Sequence, residues 1–249
     1  MYHDFYSKDF IPYIIKNKNV EGVVFDFWIG DETGRDWYDV YSTGGVWPEM
    51  RFIRDNMIKQ GDVILECGAH HGITTVVLSN WVGDKGKVIA FEPVPNNCDI
   101  IKKNIDLNGL TNVILERKAV GSETGQINIT GNSNTMVLIY QKGIEVEITC
   151  LDEYEYLQPS MLKIDVEGFE AEVLKGAKKI LSRRPKIAIE IHTEALRQYY
   201  DSSIDEIFGL IDVGAYKLWV QWNEREEPKE YDMKKPISTL VHLFGIPRK

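Results

Sequence analysis

The sequence predicts an α/β protein built on a mostly parallel sheet with helices on both faces. Two observations predict it. From about Lys59 onward, apolar runs of strand length alternate with helical patterns. Within that alternation, "VILECGAHHGITTVVLS", Val63 to Ser79, reads as a buried strand, a glycine turn and the opening of a helix. A length of 249 residues suits one such core.

In chain order, "GVVFDFWIG" and "DWYDVYST" suggest a hairpin joined by "DETGR", followed by the helix "WPEMRFIRDNMIKQ". Strands are expected near 62–67, 87–92, 112–116, 161–165 and 186–192. The segments "GITTVVLSNWV" and "NNCDIIKKNIDLNG" read as helices, the second stopped by Asn108 and Gly109. A third helix, "GFEAEVLKGAKKILSRR", stops before Pro185. Short strands with turn residues fill about 126–150, and two strands near 215–222 and 238–245 flank "NEREEPKEYDMKKP", a charged loop expected to be a solvated excursion. There are no internal repeats and no low-complexity tracts.

Composition excludes several classes of function. The chain carries 29 basic against 38 acidic residues, a net charge of −9, with the acid spread along its length. That disfavours a nucleic-acid footprint, which needs clustered cations, and an anionic membrane surface. The three cysteines, Cys67, Cys98 and Cys150, are odd in number and lack C-x-x-C spacing, so neither a disulfide framework nor a zinc site is suggested. The opening "MYHDFYSKDFIPYIIKNKN" has charges through its only apolar part, and no later run approaches ~20 apolar residues. A cytoplasmic protein without membrane insertion is expected.

In open α/β sheets, ligands bind beyond the carboxyl ends of the strands. The dinucleotide fingerprint G-x-G-x-x-G is incomplete here, because Gly68 and Gly72 are separated by Ala69, His70 and His71. The glycine that admits a pyrophosphate is missing while the tight turn is kept. An adenosine ligand without phosphates needs that turn, close strand–helix packing, and an acid, Glu66, near a positively charged ligand group. S-adenosylmethionine is such a ligand. Glu92 closes the next strand, where a carboxylate can accept from both ribose hydroxyls.

These residues resemble the FkbM-type S-adenosylmethionine-dependent methyltransferases from about Gly61 to Glu194. The blocks that carry the resemblance are "GDVILECGAHHGITT", "FEPVPNN" with "NIDLNGL", "KAVGSETG", "LDEY", "LKIDVEGFEAEVLKGA" and "IEIH". Glu66 and His70 stand where the family more commonly has Asp and Asn. The resemblance implies a Rossmann-like class I methyltransferase fold: a seven-stranded, mostly parallel sheet with an antiparallel last strand. It implies methyl transfer, usually to a hydroxyl oxygen, and a cofactor site drawn from Glu66, Gly68, His70, Gly72, Thr75, Glu92, Asn97, Ala119 and Asp165. Residues 1–58 become an N-terminal extension placed to cap an acceptor site, and residues 59–249 the methyltransferase domain.

Methyl transfer from a sulfonium is an in-line displacement that needs positioning and a deprotonated acceptor. Catalytic candidates lie at strand ends: Asp165 and Glu167 after "MLKI", and Glu190 and His192 on one face of "KIAIEIH". His192 is the candidate general base, since imidazole titrates near neutrality; otherwise it orders a loop. Asp165 holds the acceptor or the cofactor's ammonium, or caps a helix. Glu167 can act through the helix N-terminus alone, and Glu190 is either an active-site carboxylate or a structural one. Asp165, Glu190 and His192 are also candidate ligands for magnesium.

His70 is expected to face the ligand mouth and His71 to pack outward, because adjacent helical residues diverge by about 100°. Thr75 bonds the ligand carboxylate or its own helix. Lys163, inside a strand, reaches a site carboxylate or snorkels to its edge. Trp28, Trp37, Tyr38, Tyr41 and Trp47 either stack on an acceptor or staple the N-terminal hairpin to the core. The expected acceptor is a sugar, glycan or small natural product, and the aromatic N-terminal strands suit a homodimer. Two rival classes are a nicotinamide oxidoreductase, which should show the missing glycine, and a catalytically silent binding or interaction protein on the same fold.

Overall fold

The computed structural model describes residues 10–40, 47–138 and 142–248. The chain opens with an antiparallel hairpin, β1 (Tyr13–Val20) and β2 (Val23–Ile29). Its two-residue turn, Glu21 and Gly22, has positive φ at both positions, as a hairpin turn matched to strand twist requires. The hairpin therefore lies one strand earlier than its sequence pattern suggests. "DETGR" does not join strands. Asp31 accepts from the Gly34 N–H and caps a short helix, α1 (Glu32–Arg35), which runs into a π-helical turn at Asp36–Val40. Tyr41 and the rest of "YST" lie outside the described residues.

Helix α2 (Pro48–Asn56) starts on proline and buries Met50 and Ile53, one helical face. The classical alternation follows: β3 (Val63–Cys67), α3 (Ile73–Val82), β4 (Lys87–Phe91), α4 (Pro95–Leu107) and β5 (Val113–Glu116). A separate four-stranded sheet holds β6 (Ala119–Val120), β7 (Gly125–Ile129), β8 (Val137–Leu138) and β9 (Ile144–Thr149). The main sheet resumes with β10 (Met161–Ile164). The single helix expected over 168–184 is two, α5 (Glu170–Lys175) and α6 (Lys178–Ser182). The break is at Gly176, where a Cβ would fall 2.0 Å from the Gly121 carbonyl oxygen, and Asp152 caps the second piece through the Lys179 and Ile180 N–H groups.

Then come β11 (Lys186–Ile191), α7 (Thr193–Tyr199), α8 (Ile204–Leu210), β12 (Tyr216–Gln221), β13 (Lys229–Glu230) and β14 (Val241–Pro247). The main sheet runs β13-β12-β14-β11-β10-β3-β4-β5. The strands from β11 to β5 are parallel, and β14 inserts antiparallel between β11 and β12. Seven strands match the expectation. The eighth, β13, is a two-residue addition from the charged loop. The central strands are buried on both faces, which is why they read as continuous apolar runs.

One apolar core fills the β3–α3 face and runs without interruption into the hairpin: Phe25, Phe27, Ile29, Met50 and Ile53 pack with Ile64, Val76 and Val77. The sequence boundary at residue 58 therefore crosses a shared core. The outer edge of β2 is covered by α4, whose Asn104 and Asn108 accept from the Trp28 and Asp26 N–H groups.

Candidate active site

The turn after β3 brings the backbone close to β10. Gly68 has φ +85°, and a Cβ there would sit 1.8 Å from the Asp165 carbonyl oxygen. Only glycine fits. Its N–H and that of Ala69 both donate to the Phe91 carbonyl, which ties the turn to the end of β4. Gly72 also has positive φ, +83°, and opens α3.

Glu92 organises this end. One carboxylate oxygen accepts from the His70 N–H at 2.9 Å; the other accepts from the Val94 N–H and the Asn97 amide. Burial pushes its pKa up to about 7 despite those bonds. Three donors fill three of about four lone-pair sites, so one site on the His70-bonded oxygen is free.

A cavity of about 610 Å³ extends from this turn across the carboxyl ends of the strands. Gly68, His70, Glu92, Ala119 and Asp165 line it, and so do Glu190 and His192. Four of the expected cofactor residues do not: Glu66, Gly72, Thr75 and Asn97 stand behind the wall. Glu66 is fully buried and accepts from the Thr74 and Thr75 hydroxyls, because the first turn of α3 folds over it. Neither Glu66 near a ligand charge nor Thr75 on a ligand carboxylate or its own helix matches this geometry. Asn97 spans Glu92 and Ser133 and so holds the wall together.

The histidine pair also departs from expectation. His71 is fully buried, not turned outward. The two rings stack with centroids 4.0 Å apart, and both Nε2 atoms reach Ser133 Oγ. The helical 100° rule fails because His70 sits at φ +52°, in the turn rather than in α3. Burial, with His71 adding to it, holds the His70 pKa well below the usual imidazole value, and Tyr38 bonds its Nδ1.

At the other end, charges converge from five elements, α2, β10, α5, β11 and β14. The ligand atoms of Asp165, Glu190 and His192 lie within 4.8 Å of one another. His192 Nδ1 bonds Glu170 Oε1 at 2.9 Å, and its Nε2 lies 3.4 Å from Glu167 and 3.8 Å from Glu190 Oε1. His242, directly across from Glu190 in the β11–β14 register, lies 3.5 Å from the same oxygen and 3.1 Å from Glu49 of α2. Lys163 is buried in β10 with Nζ 3.9 Å from Asp165, an ion-pair contact too long for a hydrogen bond.

Burial alone would lower the His192 pKa, but Glu170, Glu167 and Asp165 raise it to about 9. His192 is therefore an imidazolium at neutral pH, and the expectation of a base poised near neutrality does not hold for this state. Burial would raise Glu190, yet its pairing with His242 and His192 draws it down to about 2. Asp165 moves the other way, well above the carboxylate range, through burial and the Glu190 charge.

The aromatic group divides. Trp37, Tyr38 and Trp47 line the cavity, whereas Trp28 packs under Lys103, 4.6 Å from its ring centroid, away from it. Sequence reasoning missed Glu49, Ser133, Glu170 and His242. The one signal for His242 was a histidine inside the apolar strand "VHLFG", and only strand pairing sets it opposite Glu190.

The profile of the methyltransferase FkbM domain family matches residues 66–218, more than half of the chain. Hexuronic acid methyltransferase AglP of Haloferax volcanii is 30% identical over 142 residues, 54% of this chain and 57% of that protein. The crystal structure of methyltransferase FkbM from Methylobacillus flagellatus KT superposes with a TM-score of 0.53 at 18% identity, over 77% of this chain and 45% of that one. The chain thus spans little more than half the length of its curated relative and less than half of that solved chain. It belongs to the methyltransferase FkbM domain family and has the class I fold. Among the described residues no helix is long and apolar enough to cross a membrane.

Proposed function

We propose that this chain methylates an oxygen of a sugar, a glycan or a small hydroxylated metabolite. The observation that carries the reading is the continuity of one cavity from the Gly68 turn and Glu92 to Asp165, Glu190 and His192. AglP, by its name a hexuronic acid methyltransferase, supports a sugar-derived acceptor.

The residues at the turn fit the cofactor. Glu92 lines the cavity with one lone pair left for a ribose hydroxyl, Ala119 lines it too, and Gly68 adds no side chain at the turn. Asp165, reached through the close approach of β10 to that turn, stands at the junction with the acceptor end. S-adenosylmethionine supplies an electrophilic methyl group when bound there.

The acceptor end does the rest through this chain's own groups. Glu170 fixes the His192 ring so that Nε2 faces the acceptor side, where it takes the acceptor's proton once it has lost its own. Glu190 holds the ring from the cavity side, and Trp37, Trp47 and Glu49 make residues 1–58 a cap over the acceptor. Free Cys67, Cys98 and Cys150 support a reducing, cytoplasmic setting.

The test begins with calorimetric titration of the chain with S-adenosylhomocysteine, repeated on Glu92→Ala. Saturable binding weakened in the variant is expected. Incubation with S-adenosylmethionine and a panel of hexuronic acid and neutral oligosaccharides, followed by mass spectrometry, should then show a 14 Da gain, about one CH₂ net, on one acceptor class. Binding without product on any acceptor would favour a silent binding protein.

A further inference from the structure

We propose that Asp165, Glu190 and His192 form a binding site for a divalent first-row transition-metal ion of the manganese class, backed by Glu170 and flanked by His242. An ion bound there takes His192 Nε2 as a ligand, so the metal-bound state is an alternative to the one in which that atom accepts the acceptor's proton, and the site itself stands on geometry. Three ligand atoms of two chemical kinds, carboxylate oxygen and imidazole nitrogen, converge within 4.8 Å of one another.

The backing is what separates this cluster from an ordinary ion-pair network. Glu170 is fully buried, held by the Gly168 N–H at 2.8 Å, and takes the Nδ1 of His192 at 2.9 Å. That leaves Nε2 as the atom offered to the cluster, the orientation that buried carboxylates impose on metal-binding histidines. His242 repeats the pattern from β14: its Nδ1 lies 3.1 Å from Glu49, and its Nε2 lies 3.5 Å from Glu190 Oε1. Two imidazoles thus present Nε2 to one carboxylate oxygen, each with a second carboxylate behind it.

His242 is also an independent sign of a missing ligand. It is 8% exposed, it lines the cavity, and its Nε2 makes no hydrogen bond. A buried polar atom with no closer partner than a carboxylate at 3.5 Å is suited to a bound ion or to water on that ion. Lys163 does not occupy the site: its Nζ, at 3.9 Å from Asp165, is beyond hydrogen-bond reach.

The donor set selects the ion. Carboxylates suit magnesium and manganese and imidazole suits iron or zinc, so two carboxylates with one imidazole favour a first-row transition-metal ion over magnesium, which prefers an all-oxygen octahedron. The proposal thus names a transition-metal ion at the residues where the sequence reading placed magnesium.

The full chain, stripped with chelator, is titrated with manganese chloride by calorimetry and by the loss of the free-ion electron paramagnetic resonance signal. One ion per chain is expected, with magnesium at least about tenfold weaker. Glu170→Gln should weaken manganese about 10- to 100-fold while the thermal melt shows a folded protein. Asp165→Asn with His192→Gln should abolish binding. No saturable binding of manganese, cobalt or zinc by the wild-type chain up to about 1 mM would overturn the proposal. So would unchanged binding in the double variant, or magnesium binding as tightly as manganese. Titration of the same sample with S-adenosylhomocysteine separates failure of the metal site from failure of the methyltransferase reading.

Discussion

The two ends of the cavity are built by different means. At the Gly68 end, backbone does the work: two glycines with positive φ, N–H groups donated to Phe91, and one carboxylate, Glu92, tying the turn together. Its parts come from one stretch and the next strand end. At the His192 end, side chains do the work: carboxylates and imidazoles arrive from α2, β10, α5, β11 and β14, and each fixes the charge of its neighbour. A site made of backbone is rigid and intolerant of a single methyl group. One made of interlocked charges tolerates substitution in shape but responds to pH and to any change in charge.

Gly68→Ala should have the largest effect. The added Cβ meets the Asp165 carbonyl at 1.8 Å in a conformation alanine resists, so about 3 kcal/mol or more of strain is expected. Thermal melting and S-adenosylhomocysteine calorimetry should show a destabilised chain with no measurable binding; a stable, binding-competent variant would break the contrast between the two ends. Glu190→Gln should instead leave the ligand affinity within about threefold and cut kcat by about 100- to 1,000-fold, because it unpairs both His192 and His242.

Glu92→Ala should weaken S-adenosylhomocysteine by about 10- to 100-fold, through loss of the one hydrogen bond its free site would accept from the ribose and of the anchor of the His70 turn. An unchanged affinity would place the cofactor elsewhere.

The pH response sharpens the charged end. With His192 raised to about 9, kcat/KM should climb about tenfold per pH unit from neutrality and level off above about 9, and His192→Gln should flatten the slope. Stability should move the opposite way. The His192 pairing contributes fully below its ordinary value of 6.5 and is lost as pH rises through about 9. Glu190, depressed from 4.5 to about 2, contributes above 4.5 and loses its share as pH falls through about 2. Chemical denaturation across pH measures both. Trp37→Ala should have the smallest effect, a rise of about threefold in the acceptor KM with kcat nearly kept, since the ring is 43% exposed at the cavity mouth.

Much of the fold was legible because the signals were local. The strands at 63–67, 87–91, 161–164 and 186–191 announce themselves as apolar runs, and Gly68, Gly72 and Glu92 sit at spacings set by one strand–turn–helix. The first strand of the hairpin was missed because Lys16, Asn17 and Lys18 interrupt its alternation at an irregularity in the pairing, and the third helix was split by a contact with Gly121 that lies 55 residues away. Glu66 and Thr75 stood at the right positions in the motif and turned out to bond each other behind the wall, since a spacing does not say which face of the turn a side chain takes.

Taken alone, the sequence determined the α/β alternation, the family, and a glycine turn followed by an acid, all of which depend on neighbours within a few tens of residues. The tertiary structure decided the charge at the acceptor end. That Glu190 pairs with His242, that Glu49 backs His242, and that His192 carries a proton at neutral pH follow from strand register and from burial. The reason is physical. A side chain's pKa and orientation depend on the groups packed within a few ångströms of it, and here those groups come from chain positions as far apart as 49 and 242.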